Sequence, residues 1–335
     1  MKKILLVLLL AAVTTFAQTT NMGNDARNLT SEGKFDQAAE VYKKIIVIDP
    51  DDSGALTNLA WCYLELKRYK EAADTARKAI LIEPKEYAAH NNLGYALIML
   101  EDYEAAIDPL RTSIKINGTY EKSRGNLIIT LLKLDRNEEA ITELRGAIQS
   151  YPKKINYRRQ LVGLLLQGGK FSDAINDLEE LVKLEPNHAD HYSGLGAAYA
   201  STGQSAKSLE AFRQAAILEP ENTNHLRNLA FAQSVEGKTN EAITTFEQIL
   251  VKNPKDFDAV FGIATRYSTL GQLDEALNFG RQALTLRPDS GQAMMLVAMT
   301  FVSKGDKDSA RQYLPKLKEL NPNNAAILEK ALEKK

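Results

Sequence analysis

Apolar residues in this chain recur at i, i+3, i+4 and i+7 within short blocks, the spacing that lays one apolar stripe along an α-helix. In the stretch SGALTNLAWCYLELKRYKEAADTARKAILIEPKE, residues 53–86, two such blocks follow one another, joined by a short polar turn and closed by a proline. The pattern then repeats. Prolines stand at Pro50, Pro84, Pro152, Pro186, Pro220, Pro254, Pro288 and Pro322, spaced by 34 residues or, across Gly118, by twice that. Nine helix–turn–helix units are expected at 19–52, 53–86, 87–120, 121–154, 155–188, 189–222, 223–256, 257–290 and 291–324. A period of this length marks a solenoid, in which no hairpin can bury its apolar face alone and each does so against its neighbours.

Numbering each unit from 1 exposes the packing code. Position 20 is alanine in every unit except the sixth, which has Ser208, so the second helix can approach the first closely. Position 8 is often small, as at Ala26, Ala60, Gly94 and Gly196, while position 7 is a large knob, as at Leu59, Leu93, Leu127, Leu161, Leu195 and Ile263. Glycine occupies position 15 in six units (Gly33, Gly169, Gly203, Gly237, Gly271 and Gly305), where a left-handed residue closes a helix end. Proline at the unit's end prevents the second helix from continuing.

These residues make the chain similar to the tetratricopeptide repeat family, whose 34-residue pattern reads W-x2-L-G-x2-Y, then A-x3-F, then A and P. The sixth unit carries it at Leu195, Gly196, Tyr199, Phe212, Ala215 and Pro220, and the second at Leu59, Tyr63, Ala72, Ala79 and Pro84. The resemblance spans residues 19–324. It implies an all-α, right-handed α–α superhelix of nine repeats, with the first helices lining a concave groove. Residues 325–335, apolar at Ile327, Leu328, Ala331 and Leu332, are expected to form a capping helix. Asp25 replaces the apolar residue at position 7 of the first unit, as suits a terminal repeat. Pro109 and Pro315 fall inside second helices and are expected to kink them.

The N-terminus departs from the repeat. Lys2 and Lys3 precede an apolar run from Ile4 to Val13 and a small residue at Ala17, the layout of a secretory signal peptide over residues 1–17. The run is shorter than the roughly 20 residues that span a bilayer. The expected mature chain, 18–335, is one soluble solenoid, periplasmic or extracellular, with no stable membrane insertion. No cysteine follows the run to carry a lipid, and Cys62, the one cysteine, excludes an internal disulfide framework.

Composition changes little. With 42 Lys and Arg against 43 Asp and Glu, the chain lacks the basic excess of a general nucleic-acid binder. Gly237-Lys238-Thr239 has Ala232 where a phosphate-binding loop needs glycine, and His188-Ala189-Asp190-His191 reads as two solvated histidines at a turn rather than a metal site. No catalytic motif or cofactor fingerprint is found, so a non-enzymatic protein is expected.

Binding residues come from the resemblance, which implies that positions 2, 5, 6, 9, 12 and 13 face the groove. Position 6 holds a row of amides at Asn58, Asn92, Asn126, Gln160 and Asn228, together with Asn24, resembling the asparagine ladder of O-GlcNAc transferases, which grips the backbone of an extended peptide. An amide offers both donor and acceptor and can do so whatever the ligand's sequence. Trp61 and Tyr95 stand at position 9. No position 9 is asparagine, so the carboxylate clamp of chaperone-tail binders is missing. Residues 121–160 hold nine basic and five acidic side chains, with Lys122, Lys133 and Arg159 at groove or rim positions. The expected function is a scaffold or assembly factor that binds a partner protein or extended peptide. The alternative is a module for an envelope polysaccharide or other anionic polymer.

Overall fold

The computed structural model describes residues 18–333; the expected signal peptide, 1–17, and Lys334 and Lys335 lie outside the described residues. Among the described residues there are helices and turns and no strand. The chain divides into two units, with the boundary between Leu164 and Leu165.

The first unit opens with α1 (residues 18–31), followed by α2 (Phe35–Ile48), α3 (Ser53–Glu65), α4 (Tyr69–Ile82), α5 (Tyr87–Met99), α6 (Tyr103–Ile116), α7 (Glu121–Lys133) and α8 (Asn137–Ser150). The boundary then falls inside α9 (Ile155–Gln167). From α3 to α16 each hairpin covers positions 1–13 and 17–30 of its repeat. From α2 to α8 every helix packs on the next, and the first helices also touch one another, α3 on α5 and α5 on α7. The second unit continues with α10 (Phe171–Leu184), α11 (Ala189–Ser201), α12 (Ser205–Leu218), α13 (Thr223–Val235), α14 (Thr239–Lys252), α15 (Phe257–Thr269), α16 (Leu273–Leu286) and α17 (Gly291–Ser303). Its last elements are α18 (Lys307–Arg311), α19 (Leu314–Leu320) and α20 (Pro322–Glu333). From α10 to α17 the same neighbour packing recurs, and α20 lies against α17 and α19. Each unit is therefore a stack of α-hairpins of the α–α superhelix class.

Packing follows the small-against-large code. The position-20 residues Ala38, Ala72, Ala106 and Ala140 are fully buried in the first unit, as are Ala174, Ala242, Ala276 and Ala310 in the second. At position 8, a Cβ on Gly94 would come within 2.5 Å of Leu110 Cγ, so only hydrogen fits where α6 crosses α5. The two prolines behave differently. Helix α6 runs unbroken through Pro109, whereas the last repeat's second helix is split into α18 and α19, with Pro315 in the first turn of α19. A missing N–H leaves no bond unmade there.

The elbow of each hairpin has one backbone solution. Arg68 N–H donates to Tyr63 O (2.8 Å) and Lys67 N–H to Leu64 O (2.9 Å), closing α3 with nested turns. This requires a left-handed residue at position 15. The six glycines expected there have φ of 69–80°, and three ordinary side chains, Lys67, Glu101 and Asp135, adopt φ of 59°, 63° and 54° in the remaining repeats. An L-residue in that region costs roughly 1–2 kcal/mol, partly offset because glycine loses more chain entropy on folding. Lys67→Gly is therefore expected to raise stability by about 0.5 kcal/mol or more, with urea midpoints moving up at constant slope. An unchanged midpoint would mean that the lysine side chain compensates for its own backbone.

Candidate binding groove

A groove of about 630 Å³ crosses the face formed by the first helices of the first unit. Helix α3 contributes Asn58, Trp61, Leu64 and Glu65; α5 contributes Asn91, Asn92 and Tyr95; α7 contributes Lys122, Asn126 and Ile129. Tyr120, which precedes α7, and Tyr157 from α9 complete the wall. Positions 2, 5, 6, 9, 12 and 13 fall on one side of a 13-residue helix, and contact between consecutive first helices brings those sides together.

The floor is a polar network. Asn92 is buried and donates from Nδ2 to the Thr57 carbonyl on α3 (3.1 Å). Asn126 donates from Nδ2 to Asn91 Oδ1 (3.1 Å), and Ser123 Oγ lies 3.2 Å from the same oxygen. Behind them Ser113 donates to the Tyr87 carbonyl (2.7 Å) and sits 2.7 Å from Ser123 Oγ. A chain of hydroxyls thus runs from α6 to the groove and fixes the amides that line it. Buried polar groups persist only when bonded in this way.

The walls are aromatic. Trp61 packs edge-on against Phe35 with centroids 5.7 Å apart, and its Nε1 donates to Glu65 Oε1 (3.1 Å), so one edge of the indole is fixed and the ring is half-buried. Tyr95 is 37% and Ile129 50% exposed, both lining the groove. Tyr157 donates its hydroxyl to Glu121 Oε1 (3.2 Å) and lies near Tyr151, while Tyr120 meets Tyr87 edge-on at 5.0 Å. Burial, and then the Glu121 charge, push the Tyr157 phenol up to about 12. Because the folded value is raised, its contribution to stability is complete below the ordinary phenol pKa of about 10 and is lost as pH climbs through the folded value. A phenolate difference titration of the chain against Tyr157→Phe should show one tyrosine ionising well above 10. Glu121→Gln should lower that midpoint; a midpoint that stays put would remove Glu121 as a cause.

The structure gathers Asn58, Trp61, Asn92, Tyr95, Lys122 and Asn126 into this one groove. It does not bring in the other candidates. Lys133 is exposed at the end of α7, while Arg159 and Gln160 are exposed on α9, with Arg159 reaching back to Asn156 Oδ1 (3.3 Å). Asn228 belongs to the second unit, where its Nδ2 donates to Ser193 Oγ (3.3 Å). The amides do not form a continuous row of open hands: Asn92 and Asn126 are engaged within the protein, and Asn58 alone of the first three makes no hydrogen bond among the described residues. Sequence reasoning missed Asn91, Tyr120 and Tyr157. The available signal was Ser113 and Ser123, polar at positions 27 and 3, where most repeats carry apolar residues.

The basic zone is largely self-paired. Arg124 holds Glu143 (2.8 Å), Arg136 holds Glu139 (2.6 Å) and Glu104 (3.2 Å), and Lys154 faces Glu121 (3.4 Å). Arg145, Arg158 and Arg159 are also engaged. Elsewhere, His191 is buried rather than solvated; it meets Glu185 Oε2 through Nε2 (2.8 Å) and stacks on His188 at 4.1 Å. Cys62 is fully buried, and its thiol is pushed up to about 11 by that burial. No helix among the described residues is long and apolar enough to cross a membrane.

Sequence profiles described as tetratricopeptide repeat match residues 29–94, 87–120, 160–223, 232–290 and 262–325. The chain belongs to the tetratricopeptide repeat family. Stacked repeats of this family are scaffolds for protein interaction, and the repeats of this chain are of that non-catalytic kind. No curated protein matches it in sequence. Among solved structures it is similar to the Naa15/Naa10 complex bound to HypK-THB, at 12% identity and a TM-score of 0.58, over 94% of this chain and 65% of that one. It is also similar to YrrB, described as a TPR protein with an unusual peptide-binding site (22% identity, TM-score 0.47, 56% and 97% covered). MamA of Desulfovibrio magneticus RS-1 is a third (20%, 0.48, 51% and 96%). The first of these likenesses establishes the fold and nothing further.

Proposed function

We propose that the chain is an exported scaffold that takes an extended segment of a partner protein into the groove of its first unit. The groove itself carries this reading. Fixed amides on its floor suit a main chain, and Trp61, Tyr95 and Ile129 along its sides suit apolar side chains. Large amphipathic rings of this kind supply most of the energy in interfaces. A polysaccharide or anionic polymer is the weaker fit, because most cations of residues 121–160 already have partners. Export rests on Lys2, Lys3 and the run from Ile4 to Val13.

Peptides selected from a random library against the intact chain provide the test. Trp61→Ala and Tyr95→Ala are each expected to weaken the selected peptides by about 1–2 kcal/mol, read by calorimetry. Peptides indifferent to both changes would place binding elsewhere. Export has a separate test: N-terminal sequencing of the protein recovered from its producing cells should begin at Gln18.

A further inference from the structure

Asn91 is 4% exposed, yet it lines the groove, and its amide is only half used. Its one hydrogen-bonded side faces Asn126 Nδ2 (3.1 Å) and Ser123 Oγ (3.2 Å). An amide–amide bond consumes the N–H of one group and the oxygen of the other. The pair Asn91–Asn126 therefore always has one NH2 edge and one carbonyl edge left over. Neither leftover edge has a partner among the described residues, and neither is sealed from solvent. The result does not depend on which way the pair is turned. Two hydroxyl protons serve three contacts along Tyr87, Ser113, Ser123 and Asn91, so that chain closes fully when Asn91 supplies the third proton. Turning both amides together exchanges the roles and still presents one donor beside one acceptor.

We infer that Asn91 and Asn126 act as one unit that reads the main chain of a single ligand residue. In an extended strand, the N–H and C=O of one residue point to the same side, as they do when paired in an antiparallel ladder. The carbonyl would lie on the leftover NH2 and the N–H on the leftover oxygen. Resting on the peptide reading above, this narrows the ligand class to a polypeptide extended at that point with an unsubstituted amide, which excludes proline there. Asn92 has one of its two N–H donors held by the Thr57 carbonyl, which fixes its amide in place. Asn58, which has no hydrogen-bond partner among the described residues, must be immobilised on binding. The grip thus sits on a pair of amides bridging α5 and α7 rather than on the position-6 row as a whole.

The experiment uses the library-selected peptides whose affinity depends on Trp61. Asn91→Asp and Asn126→Asp are near-isosteric, and either one turns the donor–acceptor pair into two acceptors. Each is expected to weaken binding about tenfold or more, read at a temperature well below the variant's own cooperative melt, because a carboxylate at so buried a site also lowers stability. On the ligand side, N-methylation at one residue should give a comparable loss, because it removes the N–H that lies on the leftover oxygen. Trp61-dependent peptides that tolerate both aspartates and N-methylation at every residue would overturn the pair while sparing the groove. Failure to obtain any Trp61-dependent peptide would overturn both readings.

Discussion

Gly262→Val is expected to lower the stability of the chain by about 3 kcal/mol. Gly262 stands at position 6 of the eighth repeat, in α15, and its backbone passes directly under the Phe246 ring from α14. A Cβ there would come within 2.6, 2.7 and 2.9 Å of three ring atoms. Phe246 is fully buried and meets Phe231 edge-to-face with centroids 5.6 Å apart, so the ring has no free volume into which to retreat. Valine would force either the ring off its rotamer or the helices apart. Gly163 in α9 provides a control of opposite sign, because nothing lies within 4 Å of a Cβ there. Gly163→Ala should stabilise by about 0.5–1 kcal/mol through helix propensity. Thermal melts of the two variants decide the matter, and equal melting temperatures would show that size at Gly262 is immaterial.

The second large effect concerns the pair across the first unit's fourth hairpin. Arg124 from α7 bonds Glu143 of α8 at 2.8 Å, with the two side chains 14% and 22% exposed. The guanidinium lies over Gly146, where a Cβ would meet its Nη1 at 2.6 Å. Its Nε has no partner. Glu143→Ala would strand a desolvated cation, at an expected cost of about 3 kcal/mol. Arg124→Met, combined with Glu143→Ala, should recover most of that loss, since an apolar side chain of similar length keeps the packing. Added salt should barely alter either result, because the pair is screened far less than one in open water. If the single change cost no more than an exposed pair, the ion pair would be a surface ornament of the hairpin.

The helices of both units were legible because apolar spacing and the proline interval act within one hairpin, and from α2 to α8 and from α10 to α17 each helix packs on the next in sequence. Pro315 breaks its helix and Pro109 does not, a difference that depends on what surrounds each turn. Three elbows were hidden for a related reason. Lys67, Glu101 and Asp135 take a backbone shape that glycine advertises and they do not.

The site was legible in part. Position number placed Asn58, Asn92, Asn126, Trp61, Tyr95 and Lys122 on one wall. It could not say which amide atoms remain available, because that is decided by Thr57, Asn91 and Ser123 on neighbouring helices. The basic zone was visible as a count, but its neutralisation by Glu104, Glu121, Glu139 and Glu143 is a matter of reach between helices.

Lys67, Glu101 and Asp135 close the second, third and fourth hairpins, and those hairpins carry most of the groove. Every other described elbow of this type is glycine. A side chain in the left-handed region sits in a narrower well than glycine does, so these three hinges resist flexing. The wall they support is correspondingly less compliant, and a guest of the proposed kind would find its shape already set instead of having to impose it.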